Sequence, residues 1–349
     1  MSEYFVNNKD FEKLIRQLME KAHVVAPASE YGRKYWFDVD GGNIDKIDLS
    51  GYRTVEPGKG YFFKTTELVA RYFSGEAHIS AGPLVLLGLR ACDLEGVSVL
   101  DRVFGEGEFQ DPFYQVNREK TILIGADCTD CGNSCFCPLV GGTPFPTRCF
   151  DLSLAVVPNG YVVEVGSDRG KRIVDDQRNI FARVLPQAEA IKSETREKVK
   201  EKLKQANRQF SFDHELHELH KGNLESGVWR ELTKDCVECS SCNFICPTCS
   251  CFLLVDEAVG LGGKRHKLWD ACLKAGYAKV AGGGNSRPRL AQRLQNRYHC
   301  KFDYSFDRLA RYTCVGCGRC IDGCAGNIDM RQVFCALDQE LTKRGGPNK

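Results

Sequence analysis

The chain has 349 residues, enough for two domains with hydrophobic cores, and its 42% hydrophobic and 27% charged residues are ordinary for a globular protein. A formal net charge of +2 gives no basic field, which argues against a nucleic-acid-binding protein. The polar N-terminus does not resemble a signal peptide, and the longest apolar run, Leu84–Leu89, is too short to cross a bilayer. We therefore expect a cytoplasmic protein without membrane insertion.

The first half of the chain alternates strand and helix patterns. Runs of branched apolar residues bounded by Gly or Pro predict strands at Val24-Val25, Leu84–Leu89, Thr121–Gly125 and Tyr161–Val165. Helical spacing of apolar residues predicts helices at Phe11–Lys21 and Leu94–Phe104. We expect an α+β or α/β domain over residues 1–185.

A dense mixed-charge helix is predicted over Lys192–Lys204, where Val199 and Leu203 are the only apolar positions. Such a helix is typical of a solvated linker, here placed at residues 186–225, with docking of a partner as the alternative. Asp213–Asp235 also has a helical pattern. Because strand signals are few beyond it, we expect a mainly helical, ferredoxin-like domain over residues 226–349.

Within this second domain, Leu290–Phe302 is predicted to be helical, and Arg289, Arg293 and Arg297 form a stripe with a spacing of four. Solvation is the default explanation of such a stripe, and partner docking is the alternative. Gly282-Gly283-Gly284 lacks the preceding strand and the spacing of a dinucleotide-binding loop.

Cysteine is the exception to the ordinary composition. Nineteen cysteines, many of them two or three residues apart, indicate metal ligands rather than disulfides in a chain of this length with no export signal. One group follows predicted strands in the first domain, where strand ends can gather thiols at one edge of a sheet. We favour a [4Fe-4S] cluster there, with zinc or inert thiols as alternatives. The favoured ligands are Cys92, Cys128, Cys135 and Cys137, and Cys131 competes for one place.

A second group forms a repeated motif of four cysteines, C-x-x-C-x-x-C-x-x-x-C. In this motif, the first three cysteines of each copy bind one [4Fe-4S] cluster and the fourth binds the other. The predicted ligands are therefore Cys236, Cys239, Cys242 and Cys324 for cluster one, and Cys314, Cys317, Cys320 and Cys246 for cluster two. Zinc is the alternative, but zinc sites give no role to the fourth cysteine of each copy.

Cys249 and Cys251 follow the first copy closely. Packing is the default role for small buried thiols, and a thiol- or disulfide-handling reductase acting at these two residues is the enzymatic alternative. A zinc-bound scaffold is the structural alternative. Cys149, Cys272, Cys300 and Cys335 are isolated in the sequence, and no role is assigned to them.

Several motifs together resemble the iron–sulfur subunit family of anaerobic sulfite reductase, whose pattern includes the β subunit of soluble sulfhydrogenases. They are Leu89-Arg90-Ala91-Cys92-Asp93-Leu94, Asp101-Arg102-Val103-Phe104, Asp111-Pro112-Phe113-Tyr114, Cys135-Phe136-Cys137, Cys246-Pro247-Thr248-Cys249-x-Cys251-Phe252 and Cys314-Val315-Gly316-Cys317-Gly318-Arg319-Cys320. The resemblance runs from about Ala26 to Asp329. Ala325 stands where the family usually has Pro, Asn327 replaces a glycine-like turn, and Cys131 is unexpected.

The resemblance implies an electron-transfer protein within a larger complex. Such a protein relays single electrons between a subunit that binds flavin and NAD(P)H and a catalytic subunit. Sulfite reductase is slightly preferred as the catalytic partner, and a hydrogenase or a heterodisulfide reductase complex is possible. No catalytic residue is predicted on this chain.

Overall fold

The computed structural model describes residues 2–73 and 81–345. The chain forms two compact units. The first takes the chain up to Lys64 and the stretch that ends at Gln205; the second takes the segment that begins at Thr65 and the chain from Ala206 onward. The chain therefore passes from one unit to the other more than once.

The strands of the described residues are β1 (Glu3–Asn7), β2 (His23–Glu30), β3 (Arg33–Asp38), β4 (Thr66–Tyr72), β5 (Leu84–Leu89), β6 (Thr121–Ala126), β7 (Leu152–Val157), β8 (Gly160–Val165), β9 (Phe252–Val259) and β10 (Gly262–Trp269). The α-helices are α1 (Asn8–Lys21), α2 (Ala91–Phe104), α3 (Pro112–Glu119), α4 (Asp168–Asp176), α5 (Pro186–Asn207), α6 (Leu216–Gly222), α7 (Val228–Glu231), α8 (Ser241–Phe244), α9 (Leu290–Phe302), α10 (Tyr304–Leu309), α11 (Arg319–Asp322) and α12 (Met330–Lys343). None of these helices is long and apolar enough to cross a membrane.

The first unit is built on a mixed seven-stranded sheet in the order β1-β8-β7-β6-β5-β2-β3. Strands β2, β5, β6 and β7 are parallel, and the outer pairings are antiparallel. Asn7 caps the N-terminus of helix α1, since its side chain accepts a hydrogen bond from the Asp10 amide, and the helix buries Phe11, Leu14 and Ile15 in the core. This mixed sheet with helices confirms the expected α/β character, and the four predicted strands fall in β2, β5, β6 and β8.

The charged helix α5 does not behave as a solvated linker. Val199 and Leu203 are buried and pack against Cys135 in the first unit. Arg196 donates to both carboxylate oxygens of the buried Asp127, at 2.6 and 3.1 Å. Arg196 and the buried Lys192 also pair with Glu164, so apolar packing and buried ion pairs together hold a helix whose sequence is otherwise typical of a solvated surface.

The second unit differs from the mainly helical domain that the sequence predicts. Its sheet has three antiparallel strands in the order β4-β10-β9. The register pairs Lys267 with Glu67 and with Leu254. The strand signals are weak because β10 is highly charged, and β4 lies far away in the sequence. The predicted helix over Asp213–Asp235 is interrupted, since only α6 and α7 form within it.

Helices α6, α9 and α12 of the second unit meet in an aromatic core. The ring of His220 stacks on Phe302 with centroids 4.7 Å apart, and Phe302 meets Phe334 edge-on at 5.0 Å. Burial lowers the pKa of His220 to about 3, so this ring packs as a neutral aromatic group. The core fixes α9, and the side chains on the other side of that helix reach the cysteine motifs.

Candidate functional site

The two repeated cysteine motifs form loops with the same backbone conformation. In the first loop, Glu238 and Ser240 have positive φ angles of 54° and 61°. The matching positions of the second loop are Gly316 and Gly318, with φ angles of 62° and 72°. Left-handed residues at turns make successive backbone N–H groups point into one concavity, which favours an anion. Both loops are therefore shaped to surround an anionic group in the same way.

The cysteines predicted for cluster one surround a single cavity. Cys236, Cys239, Cys242 and Cys324 all line it, although Cys324 lies more than eighty positions along the sequence from the other three. Burial, followed by the neighbouring thiols of Cys242 and Cys324, raises the pKa of Cys236. The structure thus brings the fourth cysteine of the second motif to the first three cysteines of the first motif, which is the crossed arrangement that the motif predicts. Their role as ligands stays a prediction.

The cysteines predicted for cluster two are gathered in the same crossed manner. Burial raises the pKa of Cys314, and Cys320 and Cys246 are close enough to add to the effect. Burial also raises the pKa of Cys320 to about 11, with Cys317 and Cys246 as further neighbours. Because burial favours the neutral form of Cys314 and Cys320, metal binding has to release protons from them.

Gly326 allows the end of the second motif to approach the start of the first. A Cβ atom on Gly326 would lie 1.8 Å from the backbone oxygen of Asp235, which directly precedes Cys236. The next residue, Asn327, has a φ of 53°, a left-handed conformation that asparagine tolerates better than most residues. Asn327 thus serves as the turn for which the family pattern has a glycine-like residue.

The arginine stripe on α9 is not solvated, contrary to the default expectation. Arg293 and Arg297 are both buried, and only Arg289 is exposed. Arg293 donates to the backbone oxygen of Leu273 at 2.8 Å and to the carboxylate of Glu238 at 2.6 Å. It therefore ties the first cysteine loop to the helix.

Arg297 lines the cavity of the cluster one cysteines. Its Nη2 donates to the backbone oxygen of Cys242 at 3.3 Å, whereas its buried Nε has no acceptor among the described residues. A buried guanidinium N–H without an acceptor destabilises the fold. A bound ligand could supply the acceptor that the protein does not. An anionic cluster with its sulfides would do so, and the residues present therefore fit a [4Fe-4S] cluster.

Lys301 is the second buried cation on α9. Its Nζ lies 3.3 Å from the sulfur of Cys246 and 2.9 Å from the hydroxyl of Thr248. Although burial opposes its charge, neighbouring thiols led by that of Cys246 hold the pKa of Lys301 well above its usual range. Each predicted cysteine set thus has one buried positive charge beside it.

The cysteines of the first unit lie at the carboxyl edge of its parallel strands. Cys92 is the second residue of α2, just after β5, and Cys128 follows the neighbouring strand β6. The side chain of Arg90 joins these two strand ends by donating to the backbone oxygens of Asp127 and of Leu49. Ligand sites of α/β sheets lie at this edge.

Around Cys135, the structure gathers three further thiols of the predicted first-unit site. Cys128, Cys131 and Cys137 pack against the cluster of apolar residues that contains Cys135. Burial raises the pKa of Cys128 to about 12 and that of Cys131 to about 11, with Cys135 among the contributing neighbours of both. Cys131 therefore remains a competitor for one ligand place.

Sequence reasoning missed Cys272, which lies next to Cys251. Asn243 donates to the sulfur of Cys272 at 3.3 Å and to that of Cys249 at 3.8 Å. The register of β9 and β10 could have revealed the proximity of Cys251 and Cys272, but those strands were not predicted.

The sulfur positions bear on the choice between zinc and iron–sulfur clusters. Zinc holds thiolates at about 2.3 Å in a tetrahedron, which places the sulfurs about 3.8 Å from one another. In the part of the chain that the structure describes, no three cysteine sulfurs lie mutually within 4.8 Å. A cubane cluster binds each thiolate at a different iron, so its ligands are farther apart than those of zinc. The choice between clusters and zinc at these cysteines stays a prediction.

Comparison with known proteins gives four findings. Residues 235–328 match the family of 4Fe-4S dicluster domains. The chain is 30% identical over 339 residues, 96% of its length and 98% of the relative's, to the sulfhydrogenase 2 subunit beta of Pyrococcus furiosus. It is 23% identical over 181 residues, 51% of its length and 39% of the relative's, to the F420-dependent formate dehydrogenase subunit beta of Methanocaldococcus jannaschii. No solved structure gives a significant match.

Proposed function

This chain belongs to the family of the sulfhydrogenase β subunits, as its motifs predicted, and on that premise we propose that it is an electron-transfer subunit of a multisubunit oxidoreductase. It relays single electrons between a subunit that binds flavin and NAD(P)H and a catalytic subunit. Both named relatives are β subunits of oxidoreductases, which supports a role within a complex. The nineteen cysteines and the absence of disulfides among the described residues suit a cytoplasmic location.

The observation that carries the proposal is the crossed grouping of eight cysteines beside two buried cations. Cluster one would be held by Cys236, Cys239, Cys242 and Cys324, and cluster two by Cys246, Cys314, Cys317 and Cys320. When bound, [4Fe-4S] clusters supply one-electron redox chemistry. Arg297 and Lys301 would offset the negative charge of the thiolates, and their burial would keep water away.

A third cluster in the first unit is the finer part of the proposal. Cys128, Cys135 and Cys137 already lie around one group of apolar residues, and Cys92 follows a neighbouring strand end. Burial raises the pKa of Cys128, and the charge of Arg90, which lies beside this edge, partly offsets that rise. A buried positive charge beside a group of thiols favours their thiolate forms, which supports a cluster over inert thiols.

The catalytic partner that we propose is a hydrogenase-type subunit. The sequence alone slightly preferred sulfite reductase. The relative that covers nearly the whole chain is named as a sulfhydrogenase subunit, whereas the formate dehydrogenase relative matches only half of it. The more extensive similarity is therefore to a hydrogenase subunit.

The test is anaerobic purification of the native complex with identification of its subunits and counts of iron and sulfide. About eight irons per copy of this chain support the paired clusters, and about twelve support the third as well. A flavoprotein and a hydrogenase-type subunit should co-purify. A colourless, iron-free chain would overturn the proposal, and zinc in its place would favour a structural scaffold.

A further inference from the structure

Cys251 and Cys272 meet at the open end of the hairpin formed by β9 and β10. Cys251 directly precedes β9, and Cys272 follows β10 by three residues. The strand register pairs Phe252 with Trp269, and the backbone N–H of Asp270 donates to the oxygen of Cys251 at 3.0 Å. The hairpin therefore holds the two cysteines at a fixed separation, although they are twenty-one positions apart in the sequence.

The thiol of Cys272 and the hydroxyl of Tyr277 are neighbours of the Cys251 sulfur. Interaction with the thiol of Cys272, followed by that with the Tyr277 hydroxyl, outweighs burial and lowers the pKa of Cys251, which favours its thiolate. The same interaction between the two thiols, followed by burial, raises the pKa of Cys272.

The two residues differ in exposure as well as in the direction of their pKa shifts. Cys251 is partly exposed, whereas Cys272 is 7% exposed. Asn243 donates to the sulfur of Cys272 at 3.3 Å and so helps to fix it. A partly exposed cysteine with a lowered pKa, next to a buried cysteine, is the arrangement of an attacking cysteine and its resolving partner. Neither residue belongs to the ligand sets proposed above.

We propose that Cys251 and Cys272 form a thiol–disulfide exchange site that accepts low-molecular-weight disulfides. The Cys251 thiolate attacks one sulfur of the disulfide, forming a mixed disulfide and releasing one thiolate. Cys272 then loses its proton to solvent and attacks the Cys251 sulfur, which releases the second thiolate and leaves an internal disulfide. The two cysteines lose two electrons and the substrate gains them, so the exchange is balanced without any cluster.

This site goes beyond electron relay and extends the alternative that the sequence raised at Cys249 and Cys251. The geometry moves the second participant from Cys249 to Cys272, since the thiol of Cys272 is the neighbour of the Cys251 sulfur. Cys249 instead contacts the amide of Asn243.

The experiment mixes the anaerobically purified, cluster-loaded chain with a small excess of 5,5′-dithiobis(2-nitrobenzoic acid). The coloured thiolate that it releases is followed by absorbance, and the protein product by intact mass and peptide mapping. Wild type should release two equivalents in a fast phase, lose two hydrogens in mass and link the peptides of Cys251 and Cys272. Cys272→Ser should release one equivalent and keep the mixed disulfide. Cys251→Ser should lose the fast phase, and Cys249→Ser is the matched control that should retain it.

Tyr277→Phe tests the hydrogen bond to the thiolate. It should slow the fast phase several-fold at pH 6 and should approach wild type at pH 9, a recovery that a loss of packing would not show. The proposal is overturned if the linked wild-type peptides exclude Cys272, or if Cys251→Ser keeps the fast phase. It is also overturned if either serine variant loses iron, because the cysteine would then be a cluster ligand. The iron count of the wild type tests the electron-relay function separately.

Discussion

Replacing Gly326 with alanine should remove one of the two clusters of the dicluster domain. The added Cβ would lie 1.8 Å from the backbone oxygen of Asp235, and real Cβ contacts are essentially never shorter than 3.0 Å. The difference requires the two segments to part by about 1.2 Å. Because one carries Cys324 and the other leads into Cys236, their sulfurs should separate by a similar amount. Ligands must be held within roughly 0.5 Å of their productive positions, so this shift exceeds what cluster one can tolerate.

The assay is an iron and sulfide count on anaerobically purified protein, combined with EPR of the reduced sample. Gly326→Ala should contain about four fewer irons per chain than wild type, with one reduced-cluster signal missing. Gly227→Ala is the matched control, since no atom lies within 4 Å of its added Cβ and its φ is −64°. Far-UV circular dichroism checks that the variant is folded. A folded Gly326→Ala with the full iron content would refute this reasoning about the crossed ligands.

Three further predictions address charge, pH and the first-unit site. Lys301→Met removes the buried cation beside Cys246 and should lower the reduction potential of one cluster by on the order of tens of millivolts, measured by an EPR redox titration. Burial opposes the charge of Asp48, but hydrogen bonds from its lysine and serine neighbours outweigh this effect and lower its pKa far below the usual range. Its stabilisation is therefore complete above about pH 4 and is lost only in strong acid, as the pH falls through the lowered pKa. Asp48→Asn should cost roughly 1 kcal/mol in urea unfolding at pH 7, and most of this loss should persist at pH 3; a loss that vanishes at pH 3 would contradict the assignment. Cys135→Ser should reduce the iron count by about four and Cys131→Ser should not; the reverse result would exchange their roles.

Motif spacing predicted a crossed grouping of cysteines in the second unit, because the fourth member of each such motif is expected to serve the other cluster. The sequence does not show how this is achieved. Gly326 gains its importance from a contact with Asp235, some ninety positions earlier in the chain. Similarly, Arg297 looked like one member of a solvated stripe, because its burial depends on the cavity that the cysteine loops create around it.

The strand pattern shows the same division between local and distant information. Leu84–Leu89 is a continuous apolar run, and it forms the buried parallel strand that the pattern predicts. In contrast, β10 contains Lys264, Arg265 and Lys267, so its local pattern is typical of a surface segment. Its pairing with β4 depends on residues nearly two hundred positions away, which no local periodicity reports. Cys272 was overlooked for a different reason, because the charged pattern of β10 hid the local hairpin that brings it to Cys251.

The pairing of β4 with β10 has a consequence for synthesis of the chain. Tyr72 pairs with Gly263, and 191 positions separate them. At the usual rate of translation, β4 leaves the ribosome roughly ten to forty seconds before its partner strand exists. During that time the first unit can fold while β4, which belongs to the second unit, still lacks its partner strand. The nascent chain thus carries an unpaired strand through most of its synthesis, and expression conditions that slow translation should increase the demand for chaperones.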